Sequence, residues 1–431
     1  MDLQQTADPR QAPDQAPQPA PHQPAGLPRS AAGHRPADRR PADPQHADPV
    51  PFFTQAASFT SLWPRIEQHL GEVLADGKFS HGAKVGELER ALAEYTGARH
   101  VIGVNSGTDA LVLLLRAAGL RPGDEVVVPA FSFVATASSV VLAGGRPVFA
   151  DIDPVTYALC PESVERVLTP RCRFLMPVHL FCQLADMTRL GELAGRHGLT
   201  VVEDSAEAIG MRLGGVHAGL LGAGGVLSFF PTKTLGAIGD AGAVLTDDDG
   251  IAETAGALRH HGRFGRTLGD FTTINTGSTL PGCNSKMDDI QAAVLLAKLT
   301  RLDADIARRA ELAAAYDRRL AGMPGVLRLP TAVDRGARAE PVFYVYVAEF
   351  ERRDELARHL ADFGVQTETY YPSPLHLQPC FAELGHRPGD FPAAEAACTR
   401  TLALPLYPDL PPDAVDRVCD VIQDFYAGAR P

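Results

Sequence analysis

Ser228-Phe229-Phe230-Pro231-Thr232-Lys233-Thr234-Leu235-Gly236-Ala237-Ile238-Gly239-Asp240-Ala241-Gly242-Ala243-Val244 is the stretch on which the reading of this chain turns. An apolar, strand-like run ends in Pro231-Thr232, presents one lysine and dissolves into glycines. Burial in apolar surroundings penalises an ammonium group, lowers its pKa and leaves a nucleophilic amine. That is the state a lysine needs to attack a carbonyl carbon. The same segment also fits a lysine at a strand end with its head in water, where most lysines are found. The surrounding sequence decides between the two.

Upstream, short apolar runs alternate with helical ones. Residues 101–105 read as a strand, 108–118 as a helix, and 124–129 and 146–151 as strands; 173–178 and 200–204 continue the series. Near-continuous apolar strands separated by helices predict an α/β domain with a mostly parallel sheet covered on both faces. Ligands of such sheets collect at the carboxyl ends of the strands. Downstream, 299–320 reads as one long amphipathic helix, 341–348 as a strand and 353–363 as a helix, which indicates a smaller C-terminal α+β domain. The expected division is a tail over 1–50, a large domain over 51–298 and a small domain over 299–431. The tail is rich in Pro, Ala and Gln and is expected to be disordered, since it has too little apolar surface to offset the entropy of ordering.

The chain of 431 residues carries 40 Lys and Arg against 52 Asp and Glu, a formal net charge of -12. That balance, with no dense basic run, argues against nucleic acid as a partner. No apolar run is long enough to span a bilayer and the first residues lack the apolar core of a signal peptide. The seven cysteines are scattered and form no Cys-x-x-Cys pair, so neither a zinc site nor a disulfide framework is expected. The expectation is a reduced, cytoplasmic protein with no metal.

Three segments upstream of Lys233 share its chemistry. Asn105-Ser106-Gly107-Thr108 joins a strand end to a helix start, where free N–H groups, two hydroxyls and the helix dipole suit a phosphate; Ser and Thr there also suit a plain helix cap. Asp204 ends the strand-like run Val201-Val202-Glu203-Asp204, a position from which a carboxylate can pair with a protonated ring nitrogen, or merely cap the turn that follows. Phe131 and Phe133 follow the strand end at Pro129, and Ser228 stands five residues before Lys233. Phosphate cradle, aromatic ring, carboxylate and lysine in this order are together the set that pyridoxal 5'-phosphate (PLP) requires.

These stretches resemble the DegT/StrS-type sugar aminotransferases, a family of fold type I PLP enzymes. So do Pro177-Val178-His179-Leu180, Asn284-Ser285-Lys286-Met287-Asp288-Asp289 and Tyr371-Pro372. The resemblance runs from about residue 77 to about 410. It implies that Lys233 bonds the cofactor covalently and shuttles the proton, that Asp204 pairs with the pyridine nitrogen and that Phe133 stacks on the ring. Ser106, Gly107, Thr108 and Ser228 would hold the phosphate, and Asn284 would reach the phosphate of a second subunit, in a homodimer with shared active sites. Glu207 would lie beside the phenolic oxygen, where many members of the family have Gln or His; Lys286 replaces a frequent Arg, and Tyr370 a frequent His. The implied reaction moves an amino group from glutamate or glutamine to a keto sugar, with a nucleotide-linked keto-deoxysugar as the expected acceptor, in amino-sugar or antibiotic biosynthesis. A keto-cyclitol, a free keto-sugar phosphate or another PLP reaction of the same fold are the alternatives. Related sugar dehydratases have His in place of the lysine, so Lys233 favours amino transfer. A purely regulatory, cofactor-bound member is the rival of another class. A nicotinamide-dependent reductase is disfavoured, because Gly222-Ala223-Gly224-Gly225 does not form the dinucleotide-binding glycine pattern.

Overall fold

The computed structural model describes residues 48–80, 82–264, 277–333 and 339–428. Seven strands form the central sheet in the spatial order His100–Val104, Gly242–Thr246, Gly224–Ser228, Thr200–Asp204, Cys172–Leu175, Glu125–Pro129, Arg146–Ala150. Gly242–Thr246 runs antiparallel to both its neighbours, and the remaining adjacent pairs are parallel. Every strand except Gly242–Thr246 therefore opens its carboxyl end toward one edge.

Both faces are covered, as the apolar runs require. Along one strand Val126 and Val128 join the core cluster that includes Leu111, Leu114 and Val202, while Val127 turns to the cluster of Leu175, Leu190 and Leu193. Helix Gly107–Ala117 buries Ala110, Leu111, Leu113, Leu114 and Leu115. Fully burying one such Leu stabilises the fold by about 1.5–3 kcal/mol, so this helix is anchored mainly by its apolar side.

Toward the C-terminus a three-stranded antiparallel sheet, Val326–Arg328, Tyr346–Phe350 and Thr401–Leu404, forms a second layer. Leu312, Tyr316, Leu404, Val418 and Ile422 share its core, where the rings of Tyr316 and Tyr346 stack at 4.7 Å. Two elements differ from expectation. The strand expected over 341–348 is Tyr346–Phe350: Pro341 has no N–H to give a ladder, and the Tyr344 N–H donates instead to Phe181 O at 2.9 Å. The helix expected over 299–320 begins at Leu302, because Leu299 is the last residue of the separate helix Asp289–Leu299. At the break the Thr300 hydroxyl donates to Ala297 O at 2.7 Å and Arg301 N–H to Lys298 O at 3.1 Å, tightening the last turn.

The expected tail lies outside the described residues up to residue 47. Val50 is buried, and its N–H donates to Gly364 O at 2.8 Å beside a bridge to Val365. Among the described residues no helix is long and apolar enough to cross a membrane.

Candidate active site

The carboxyl ends of the strands meet at a cavity of about 460 Å³. Ser106, Gly107, Thr108, Phe133, Asp204, Glu207, Ser228 and Lys233 all line it. Asn284 does not: it is exposed, and its side-chain oxygen accepts from Lys286 Nζ.

One wall is the start of helix Gly107–Ala117. Ser106 Oγ accepts the Asp109 N–H at 3.1 Å, so the cap reading of this serine holds. The first-turn amides lie at the positive end of the helix dipole. Two glycines allow this close packing. A Cβ on Gly107 would stand 2.8 Å from Ser228 Cβ, and one on Gly242 would stand 2.6 Å from the Ser106 carbonyl carbon. Gly242, downstream of Lys233, thus packs directly against the start of this helix.

Asp204 is buried at the end of its strand. Its Oδ2 accepts from Thr136 Oγ1 at 2.7 Å, which contacts Ser132 Oγ at 2.8 Å, and its Oδ1 accepts the Ala206 N–H at 3.3 Å. The turn-capping reading of Asp204 is therefore also met. Burial raises the pKa of this carboxyl, against the opposing pull of Thr136, the Ala206 amide and Lys233. The strand end beside it is held by Glu203, which accepts from the amides of Gly219, Leu221 and Gly222 at 2.8, 2.6 and 2.7 Å. His179 Nε2 meets the same carboxylate at 2.9 Å, while its Nδ1 accepts the Ala185 N–H at 3.1 Å. This pairing assigns the proton to Nε2.

Lys233 sits in a turn closed by its own N–H to Phe230 O and by Ala237 N–H to Phe229 O, both at 2.8 Å. Its Nζ donates to Glu207 Oε1 at 3.1 Å and lies 4.3 Å from the centre of the Tyr344 ring. The expectation that apolar surroundings lower its pKa is corrected here. Burial does pull it down, but the Glu207 carboxylate, with Tyr344 and Asp204, outweighs burial, and the pKa is raised. Glu207 is itself fixed by the Phe181 N–H at 3.1 Å and the Tyr371 hydroxyl at 3.3 Å.

Sequence reasoning missed Thr136 and Tyr344, and placed Tyr371 in a matching motif without giving it a role. Tyr344 OH contacts Thr232 Oγ1 at 3.1 Å and Tyr370 OH at 3.2 Å, so a residue from the C-terminal region roofs the lysine. Phe133 is 57% exposed, with its ring 6.4 Å from that of Tyr371, a free aromatic face at the cavity wall.

These residues fit PLP. Asp204 is a buried carboxylate whose charge is costly until a cation pairs with it. The helix start with Ser106, Thr108 and Ser228 matches a phosphate, and the glycines let the backbone and Ser228 pack closely around it. A cluster with the spacing of metal ligands, His69, Glu72 and Glu87, lies elsewhere; the ammonium of Lys84 already pairs with both glutamates there.

Comparison with known proteins agrees with the geometry. The pattern of the DegT/DnrJ/EryC1/StrS aminotransferase family matches residues 62–423. A "Pleiotropic regulatory protein" of Geobacillus stearothermophilus is 41% identical, over 88% of this chain and 98% of its own length. A dTDP-3-amino-3,4,6-trideoxy-alpha-D-glucose transaminase of Streptomyces venezuelae is 39% identical, over 87% of this chain and 96% of its own length. The crystal structure of S. venezuelae DesV, in complex with a ketimine intermediate, superposes with a TM-score of 0.83 at 38% identity, covering 89% of this chain and all of that one. With the lysine, the buried carboxylate and the phosphate cradle in one cavity, the chain belongs to the DegT/DnrJ/EryC1/StrS aminotransferase family and is a PLP-dependent aminotransferase.

Proposed function

We propose that this chain transfers an amino group, from glutamate or glutamine, to the carbon-3 ketone of a nucleotide-linked deoxyhexose. The observation that supports it most directly is the convergence of Lys233 Nζ, Asp204 and the start of helix Gly107–Ala117 on one cavity. The choice of sugar and ring position follows the product named for the S. venezuelae transaminase.

PLP, when bound, supplies the electron sink. The chain supplies the rest. Asp204 would face the ring nitrogen and favour its protonated form, because a buried carboxylate without a cation is unfavourable. Thr136 and the Ala206 amide hold its two oxygens in place. The helix start and Ser228 hold the phosphate. Lys233 would hold the cofactor and stands where its amine could move a proton at the substrate carbon, with Glu207 and the Tyr344 ring orienting that amine. Phe133 would offer its exposed ring to the cofactor. Asn284, exposed and outside the cavity, serves the phosphate of a second subunit, so the working unit is a homodimer with shared sites. With a large domain over 51–298 and a small one over 299–431, the small domain supplies Tyr344 and Tyr370 to the cavity wall. The described cysteines are all free, which supports a cytoplasmic setting.

The test is to load the enzyme with pyridoxamine phosphate and offer 3-keto nucleotide sugars, 4-keto nucleotide sugars and free 3-keto sugar phosphates. Return of the aldehyde absorbance is expected with the first class. Return with another class alone would replace this substrate assignment.

A further inference from the structure

Lys298 is a buried cation that the chemistry above leaves unused. It lies in helix Asp289–Leu299 with 7% exposure. Burial lowers its pKa to about 8, with Asp305 the first of the charges that oppose this. Its Nζ donates to two neutral acceptors, the Gln55 side-chain oxygen and the Gly236 carbonyl. Gln55 in turn donates from Nε2 to the Pro231 carbonyl. The three bonds close a ring around residues 231–236, the turn that presents Lys233.

That turn is tight. A Cβ on Gly236 would stand 2.3 Å from Pro231 O and 2.9 Å from Phe230 O, so the backbone at its two ends passes in direct contact. The carbonyls of Pro231 and Gly236 are its two handles, and each is held by one arm of the Lys298–Gln55 pair. Gln55 is fixed from the other side as well. It precedes helix Ala56–Asp76, in the same segment as Val50, which is paired to Gly364 and Gln366 by 2.8 and 3.0 Å bonds. The clamp therefore joins the segment entering the first helix to the lysine turn.

We propose that Lys298 and Gln55 clamp the Lys233 turn by its two carbonyls, which makes Lys298 a positioning residue for amino transfer. The proposal rests on Lys233 being the reacting lysine. A side chain that must reach both cofactor and substrate carbon tolerates little displacement, and a shift of about 1 Å in reacting groups costs about a hundredfold in rate. A clamp on the backbone that carries it restricts such shifts.

Two variants test it. Lys298→Met keeps the apolar stem and removes the donors; Gln55→Ala removes the other arm from a half-buried position. Hydrogen exchange at the Lys233 and Ala237 amides is measured in the cofactor-free protein, with the Gly224–Ser228 strand as internal control, and kcat and KM are measured in the loaded enzyme. In both variants the two turn amides should exchange about tenfold faster while the strand amides are unchanged. The kcat should fall about tenfold with the donor KM within about twofold. If Lys298→Met does not fold, Gln55→Ala decides alone. Turn exchange at the wild-type rate in Gln55→Ala would overturn the clamp. Faster exchange throughout the sheet, or faster turn exchange with wild-type kcat, would overturn the positioning role. The exchange measurement involves no cofactor, so it stands apart from the assignment of Lys233, which substitution of Lys233 itself tests.

Discussion

Glu207 sets the state of Lys233. Alone, burial would favour the neutral amine, as the local sequence suggests; the carboxylate 3.1 Å away reverses that. Because the folded pKa lies above the unfolded one, the stability this pair gives the cofactor-free protein is fully present below pH 10.5. It is lost as pH rises through the folded value. Glu207→Gln removes the charge but keeps the shape, and should therefore let burial dominate. The prediction is that acylation of Lys233 in the cofactor-free variant, followed by mass spectrometry, has its midpoint at lower pH than in the wild type. An unchanged midpoint would show that Glu207 does not control the lysine. The placement of Asp204 and Lys233 at the cavity was legible in sequence because each stands at the end of a strand-like run. Tyr344 and Thr136 were not. Tyr344 stands among apolar and aromatic neighbours in Val342-Phe343-Tyr344-Val345-Tyr346, which read as strand, and its contact with Lys233 exists only once the C-terminal region folds over the sheet. Thr136 lies inside helix Val134–Leu142, where nothing local marks it as the partner of a distant Asp.

At the scale of elements, the proposed phosphate cradle depends on how closely a strand approaches a helix start. Gly242 begins the antiparallel strand Gly242–Thr246, and any Cβ there would meet the Ser106–Gly107 backbone at 2.6–2.7 Å. Backbone cannot swing aside as a flexible side chain can. Gly242→Ala should displace the helix start and weaken PLP binding by at least about tenfold, at a stability cost of about 1–3 kcal/mol. Equilibrium titration of the cofactor-free variant, with thermal unfolding alongside, measures both. Wild-type affinity would mean that the cradle is looser than its packing implies. The parallel strands were readable because apolar runs of this length, separated by helices, have few other folds open to them. The small sheet was read less well. Pro341 and the diverted Tyr344 amide delay its middle strand to Tyr346, and both effects depend on what lies across the gap.

At the scale of the whole molecule, Arg309 shows how the C-terminal layer is held over the cavity. It is 2% exposed on helix Leu302–Leu320 and donates from Nη1 to Tyr344 O and Leu406 O, both at 2.8 Å. Burial lowers its pKa to about 10, so it remains charged at neutral pH. Arg309→Met would leave two buried carbonyls without this donor, a loss of roughly 2–5 kcal/mol. Urea unfolding should register it, and because Tyr344 is the roof of Lys233, kcat should fall as well. Stability within about 0.5 kcal/mol of the wild type would contradict this account. No sequence pattern announces such a residue, since an arginine in a charged amphipathic helix reads as solvated surface. The central claim is that all this architecture serves one amine. It is tested most directly by single-turnover amino transfer from glutamate in Lys233→Ala, with circular dichroism to establish that the fold is intact. The expected outcome is a loss of at least about a thousandfold in the transfer rate and no covalent trapping of PLP by borohydride. Wild-type turnover in the folded variant would contradict it.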